Sequence, residues 1–406
     1  MRNLTKSLLV ATSLATVAFA KPVVTPSGVI TASKVGSINL AGISANSNMW
    51  NASKPTSVVL YPQTTIKLND KIGNAVNSDA KAKVAQVQAV YSGSTVAFKL
   101  TWSDASNNTM GKNASDAYAD GFATQIPVNY SDPKKLPYIG MGSDGRPVVV
   151  HIVKSIPAYY EPNGNKDVAS QLATEMVNVY GDDLKKNRDA IAKLGKPYHK
   201  GFISEGFRSL TEIKDGSDKS GMSMSYDAKS KKWTGVIAQS LNASSGVLPV
   251  AFAVWDGSKY NRGGVKNLTS WLPVKLQGKA GGEALIKELT AKPKGDAKAG
   301  QVQVEAMCVS CHTTSATKMA SSPYMAPGLK NIGGYSTAAY LAESIKDPSA
   351  VIVPGYNRNA HKNFKWYEFD TKTGKRTSTM PPMMTDDKSI NDAVAYLKTL
   401  KAGVEK

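Results

Sequence analysis

The chain holds only two cysteines and four histidines in 406 residues. Both cysteines fall within Cys308-Val309-Ser310-Cys311-His312, so no second thiol pair exists to cross-link distant parts of the fold, and burial must stabilise it. Nucleophile-elbow and Rossmann glycine patterns are absent, as is any cluster of metal-ligating residues, which leaves no independent catalytic centre in view. Beyond the first twenty residues no apolar run approaches the ~20 residues of a membrane span, so the mature chain is expected to lack one. Acidic residues are also scarce, 31 against 50 basic, for a formal charge of +19. Residues 296–406 carry 14 basic and 10 acidic side chains, so most of the excess lies earlier. The lysines are scattered in ones and twos without an aromatic-basic motif, which argues against nucleic acid and leaves a solvated surface or an acidic partner.

What is present is a C-x-x-C-H motif. Two thiols at that spacing can form thioethers to the two vinyl groups of one haem, and His312 then faces the iron as proximal ligand. A dithiol redox pair would not need the histidine, and a zinc site would need further ligands. With histidine so scarce, a thioether is the natural sixth ligand. Met380 opens Met380-Pro381-Pro382-Met383-Met384 and is the leading candidate, with Met383 and Met384 as alternatives. The stretch from Gly295 to Lys401 resembles a class I cytochrome c, through Gly295-Asp296-Ala297-Lys298-Ala299-Gly300, Ala326-Pro327-Gly328-Leu329 and Met380-Pro381-Pro382. That resemblance implies an all-α domain, one covalent haem c, iron bound by His312 and Met380, and a Pro327 carbonyl that accepts from the imidazole.

At the other end, Arg2 and Lys6 precede an apolar stretch from Leu8 to Val17 and the triplet Ala18-Phe19-Ala20, the pattern of a secretory leader cleaved after Ala20. Residues 1–20 are therefore read as a signal peptide and the protein as periplasmic. Residues 21–286 have a different texture. Short β-rich runs at Ser57–Tyr61, Val84–Tyr91, Thr95–Trp102, Val148–Val153, Trp233–Gln239 and Leu248–Trp255 are separated by turn residues, and several alternate with period two. Helical patterning is confined mostly to Asp167–Val179 and Leu184–Leu194. A mainly β sandwich with a helical insertion is expected, then a linker with the start of the first cytochrome helix at 287–300, then the cytochrome domain at 295–406.

The β region also resembles a known family, the haem b domain of the ethylbenzene dehydrogenase gamma type. The matching blocks are Phe98–Asp104, Tyr118–Pro127, Pro137–Gly142, Pro147–Lys154, Val250–Ser258 and Arg262–Trp271. The resemblance implies one non-covalent haem b held by Met141 and Lys266 from opposite faces. Taken alone, those residues read as a core methionine and a surface lysine. A ligating lysine must be neutral, which burial beside a cationic metal favours, and Gly263-Gly264 removes side-chain bulk beside it. Where the family carries tryptophans after its Met-Gly element, this chain has Ile152 and Val153. The family further implies an electron-transfer subunit working beside a molybdopterin catalytic subunit and an iron-sulfur subunit, linked to a soluble or membrane cytochrome, with nitrite/nitrate-type or other anion redox in view. Two other readings are a cytochrome c fused to a ligand- or surface-binding sandwich, and a free-standing di-haem shuttle. His151 reads as a core histidine or a neighbour of a haem propionate, Met222-Ser223-Met224 as packing, and His199 and His361 carry no motif.

Overall fold

A computed structural model of the chain describes residues 28–66, 70–108, 118–157, 197–214, 217–241, 243, 245–314, 325–358 and 365–405. The leader at 1–20, the helical excursion at 167–194 and His361 lie outside the described residues. Among those described, no helix is long and apolar enough to cross a membrane.

The N-terminal region is a β sandwich. In chain order its strands are β1 (Ile30–Lys34), β2 (Thr56–Pro62), β3 (Lys83–Ser92), β4 (Thr95–Ser103), β5 (Gly121–Pro127), β6 (Val148–Pro157), β7 (Pro197–Ser204), β8 (Thr211–Glu212), β9 (Gly221–Asp227), β10 (Lys232–Ser240), β11 (Val247–Trp255), β12 (Asn267–Leu268) and β13 (Leu272–Leu276). They form one folded-over sheet in the order β8-β7-β6-β5-β11-β12-β2-β3-β4-β10-β9, with β1 and β13 on a branch. All six β-rich runs of the sequence are strands: β2, β3, β4, β6, β10 and β11. The first half of β11 pairs with β13 and its second half with β5 and β12, so this strand passes from one layer to the other. It is buried along its whole length, as an interior strand covered on both faces must be. Most pairs are antiparallel, but β1 lies parallel to both β13 and β3.

Between the layers Phe98 and Trp102 of one sheet meet Phe122 and Phe252 of the other, with ring centroids 5.4 Å apart for Phe98 and Phe252 and 6.0 Å for Trp102 and Phe122. Each such buried ring contributes about 1.5–3 kcal/mol of transfer free energy. The Thr124 hydroxyl donates to Gln239 Oε1 across the gap at 2.9 Å, which satisfies two polar groups that burial would otherwise penalise. Ile152 and Val153 are both buried in this core.

Outside the sandwich lie helices α1 (Lys71–Val76), α2 (Glu283–Thr290), α3 (Ala297–Met307), α4 (Ile332–Tyr335), α5 (Ala338–Lys346) and α6 (Asp387–Leu397). α2 occupies the first part of the 287–300 stretch, so the connection to α3 is shorter than the sequence suggests. Asp296 caps α3 by accepting from the amides of Lys298 and Ala299, and Asp386 caps α6 by accepting from that of Ser389. The two helices cross where Gly300 meets the backbone of Asp392, and a Cβ at 300 would sit 1.8 Å from the Asp392 carbonyl oxygen. Among the described residues the C-terminal region contains, besides its helices, a hairpin of β14 (Tyr367–Phe369) with β15 (Arg376–Ser378), which precedes Met380.

The two regions are packed together. Arg146 donates two hydrogen bonds to Glu343 at 2.8 and 2.7 Å, Arg376 pairs with Asp144 at 2.9 Å, and the amide of Asp144 donates to the Ile352 carbonyl at 2.8 Å. The chain end returns to the sandwich, with the Ala82 amide donating to the Gly403 carbonyl at 3.0 Å.

Candidate haem sites

α3 delivers the attachment motif at its C-terminal end. Cys308 closes the helix with its amide on the Val304 carbonyl, and the amides of Cys311 and His312 both donate to the Cys308 carbonyl, at 3.1 and 2.9 Å. This tight turn sets Cys308, Cys311 and His312 on the wall of one cavity of about 660 Å³, and the two thiols are not joined in a disulfide. Pro327 and Met380 line the same cavity, as the sequence reading requires, and so do Met383 and Met384. His312 Nδ1 lies 2.7 Å from the Pro327 carbonyl oxygen. A carbonyl only accepts, so Nδ1 carries the proton and Nε2 keeps its lone pair for a metal. Burial lowers the imidazole pKa, which favours the neutral, ligating form.

The rest of the wall is apolar or aromatic, with Val304, Ile332, Leu341, Val353 and Leu397 among its members. Free thiols beside a histidine of the correct tautomer, methionine thioethers, and an apolar cavity of cofactor size together fit a covalent haem c. Sequence reasoning missed three contributors. Met325 is a further thioether on the wall, and Thr65 and Tyr138 reach it from the sandwich. Tyr138 rests 5.0 Å from the Tyr340 ring and 6.0 Å from that of Tyr356, and its hydroxyl is 2.9 Å from Thr65 Oγ1. Desolvation raises the pKa of each of these three phenols, so all remain neutral. Nothing local to Tyr138 advertises this role, because the surface it meets belongs to a segment some two hundred residues downstream.

Met141 and Lys266 do not line that cavity. Met141 sits three residues beyond Tyr138 in a turn closed by the Gly142 amide on the Tyr138 carbonyl at 2.9 Å. Its φ of 77° is left-handed, a conformation a side chain other than glycine rarely adopts and one often held at functional positions. Lys266 is 5 % exposed, and among the described residues its Nζ has neither a hydrogen-bond nor an ion-pair partner, lying 5.6 Å from the Trp255 ring. Desolvation pushes its pKa down to about 8. The segment from Gln63 to Ile66 runs between the two turns: the Gln63 amide donates to the Lys266 carbonyl at 2.9 Å, Gln63 Nε2 would meet a Cβ at Gly140, and Ile66 packs on Gly264. Gln63 Oε1 is buried there without a partner. A buried amine with no counter-charge among the described residues fits a group that takes a lone pair from the neutral amine, as haem iron does.

The remaining described histidines, His151 and His199, do not line the cavity. His151 Nε2 pairs with Asp218 at 2.9 Å, in the manner of a core histidine, and burial lowers the pKa of His199.

Comparison with known proteins follows the same division of the chain. The family model described as Ethylbenzene dehydrogenase matches residues 47–267, and that described as Cytochrome c matches residues 297–401. None of the curated proteins matches this chain. Solved structures similar to it include a carbohydrate binding module family 9 (CBM9) from Caldicellulosiruptor kristjanssonii in complex with cellotriose, at 8% identity over 62% of this chain and 94% of that one, TM-score 0.29. The same module in complex with glucose is 7% identical over 63% of this chain and 98% of that one, TM-score 0.26.

Proposed function

This chain belongs to the ethylbenzene dehydrogenase family and joins that family's domain to a cytochrome c domain, so it is a haem electron-transfer protein, and we propose that it is the di-haem subunit of a periplasmic molybdopterin oxidoreductase complex. In this reading it carries one covalent haem c on Cys308 and Cys311, ligated by His312 and Met380, and one haem b held by Met141 and Lys266. The bound haems supply one-electron iron chemistry, and two protein ligands at each leave no open position for a substrate. The chain's own residues do the rest. Pro327 fixes the His312 tautomer, Tyr138, Tyr340 and Tyr356 supply aromatic wall to the cavity, and burial holds the Lys266 amine ready to give up its proton.

The observation that carries the proposal is the shared wall: Tyr138 lines the cytochrome cavity while its own turn presents Met141. Single electrons would pass between an iron-sulfur subunit beside the molybdopterin catalytic subunit and an external soluble or membrane cytochrome, in nitrite/nitrate-type or other anion redox. Haem typing by pyridine haemochrome spectra, before and after acid-acetone extraction, tests it. The expected result is one extractable haem b and one retained haem c per chain, with the extractable haem lost in Met141→Ala and Lys266→Ala. Retained haem c alone would return the sandwich to a binding role. Gentle affinity capture from the periplasm should bring down the molybdopterin and iron-sulfur subunits, and recovery of the chain alone would favour a free-standing shuttle.

A further inference from the structure

At the end of the sandwich, three strand termini bring three buried carboxylates together. Asp104 follows β4, Asp120 precedes β5 and Asp256 follows β11. They are 4, 0 and 5 % exposed, and one oxygen from each lies within 4.8 Å of the others. The hydrogen bonds they accept fix the carboxylates in place. Asp120 takes the Asn108 amide, the Trp233 indole and the Gly257 amide, at 2.7, 3.0 and 2.8 Å. Asp256 takes the Ser258 hydroxyl at 2.6 Å and the Lys83 ammonium at 3.0 Å. Asp104 Oδ1 takes the amide and hydroxyl of Ser106, both at 3.1 Å, but its Oδ2 is buried and accepts nothing.

The charges do not balance. Among the described residues one lysine faces three buried carboxylates, which leaves two negative charges uncompensated away from water. Strong hydrogen bonds to Asp120 from two amides and an indole are made to hold an anion, not a neutral acid. All the candidate donors are oxygens, with no sulfur or imidazole among them, which selects a hard cation over zinc or copper.

We propose that Asp104, Asp120 and Asp256 bind one hard divalent cation of the calcium, magnesium or manganese class, with Asp104 Oδ2 as a ligand. Two positive charges cancel the excess, and the ion clamps three strand ends on the sandwich independently of either haem site.

The test is titration calorimetry on the full-length, haem-loaded protein after chelator treatment and dialysis, using Ca²⁺, Mg²⁺ and Mn²⁺ separately. One equivalent of at least one ion should bind, and should raise the thermal midpoint by several degrees at an excess of about a hundredfold over its Kd. Asp104→Asn keeps an acceptor for Ser106 and should bind at least tenfold more weakly, with an unchanged haem spectrum as the control for folding. Should that variant fail to fold, the wild-type titration still decides. No binding heat and no midpoint shift at millimolar concentrations of all three ions would overturn the proposal, as would undiminished affinity in folded Asp104→Asn.

Discussion

His312 and Lys266 are both assigned to give a nitrogen lone pair to iron, and each must be neutral to do so. His312 reaches that state easily, with its Nδ1 proton engaged by Pro327, whereas Lys266 depends on burial to bring its pKa to about 8. The methionines pose the opposite problem, because Met380, Met383 and Met384 all line one cavity. Met384 is 5 % exposed and Met383 40 %. Met380→Ala is expected to abolish the near-infrared band of thioether-ligated ferric haem and to lower the haem c potential by an appreciable fraction of the ~0.8 V that axial ligands command. Met384→Ala should keep band and potential but destabilise the protein by about 2–5 kcal/mol, the usual consequence of emptying a buried position. Absorption spectra and redox titration of the two variants separate ligand from packing. The haem c attachment residues are legible in sequence because thioether chemistry demands a contiguous motif. Met141 and Lys266 carry no comparable local mark: one lies in a left-handed turn and the other is buried beside Trp255, and the family resemblance alone singles them out.

The crossing of α3 and α6 depends on the absence of a side chain at residue 300. A Cβ there would meet the Asp392 carbonyl oxygen at 1.8 Å, and backbone on both sides leaves nothing flexible to yield. Gly300→Ala should therefore push the helices apart and cost about 1–3 kcal/mol or more in denaturant unfolding of the cytochrome region. Val302→Ala, at a position 72 % exposed, should change little and serves as the control. Elements of this kind vary in how readily they are inferred. Strands β2, β3, β4, β6, β10 and β11 are readable from patterning and β-rich composition, because each runs through a layered core. β1 and β13 escape a reading that expects antiparallel neighbours, since β1 is held parallel between strands from both ends of the domain. The β14–β15 hairpin escapes too, being three residues per strand with none of the six buried.

Packing between the two regions rests on pairs with no sequence signature, such as Arg146 with Glu343 and Arg376 with Asp144, roughly two hundred residues apart along the chain. All four side chains are partly exposed, so each pair is worth about 0.2–1 kcal/mol. The double variant Arg146→Ala, Arg376→Ala should therefore be less stable by about 0.4–2 kcal/mol in dilute buffer, and the gap should narrow in high salt as screening weakens the wild-type pairs. Thermal unfolding at two ionic strengths checks this, and a gap that did not narrow would assign the stability to packing instead. The backbone bonds at Asp144 and Ala82, and the seating of Tyr61 against Gly334, would keep the regions joined in that variant. A separate cytochrome must diffuse to its donor, at a rate governed by concentration and by the long-range field of both molecules. Here Thr65 and Tyr138 already form part of the cytochrome cavity, so that search is over before the electron arrives. Any exchange between the two regions should accordingly obey first-order kinetics, with a half-time that dilution leaves untouched.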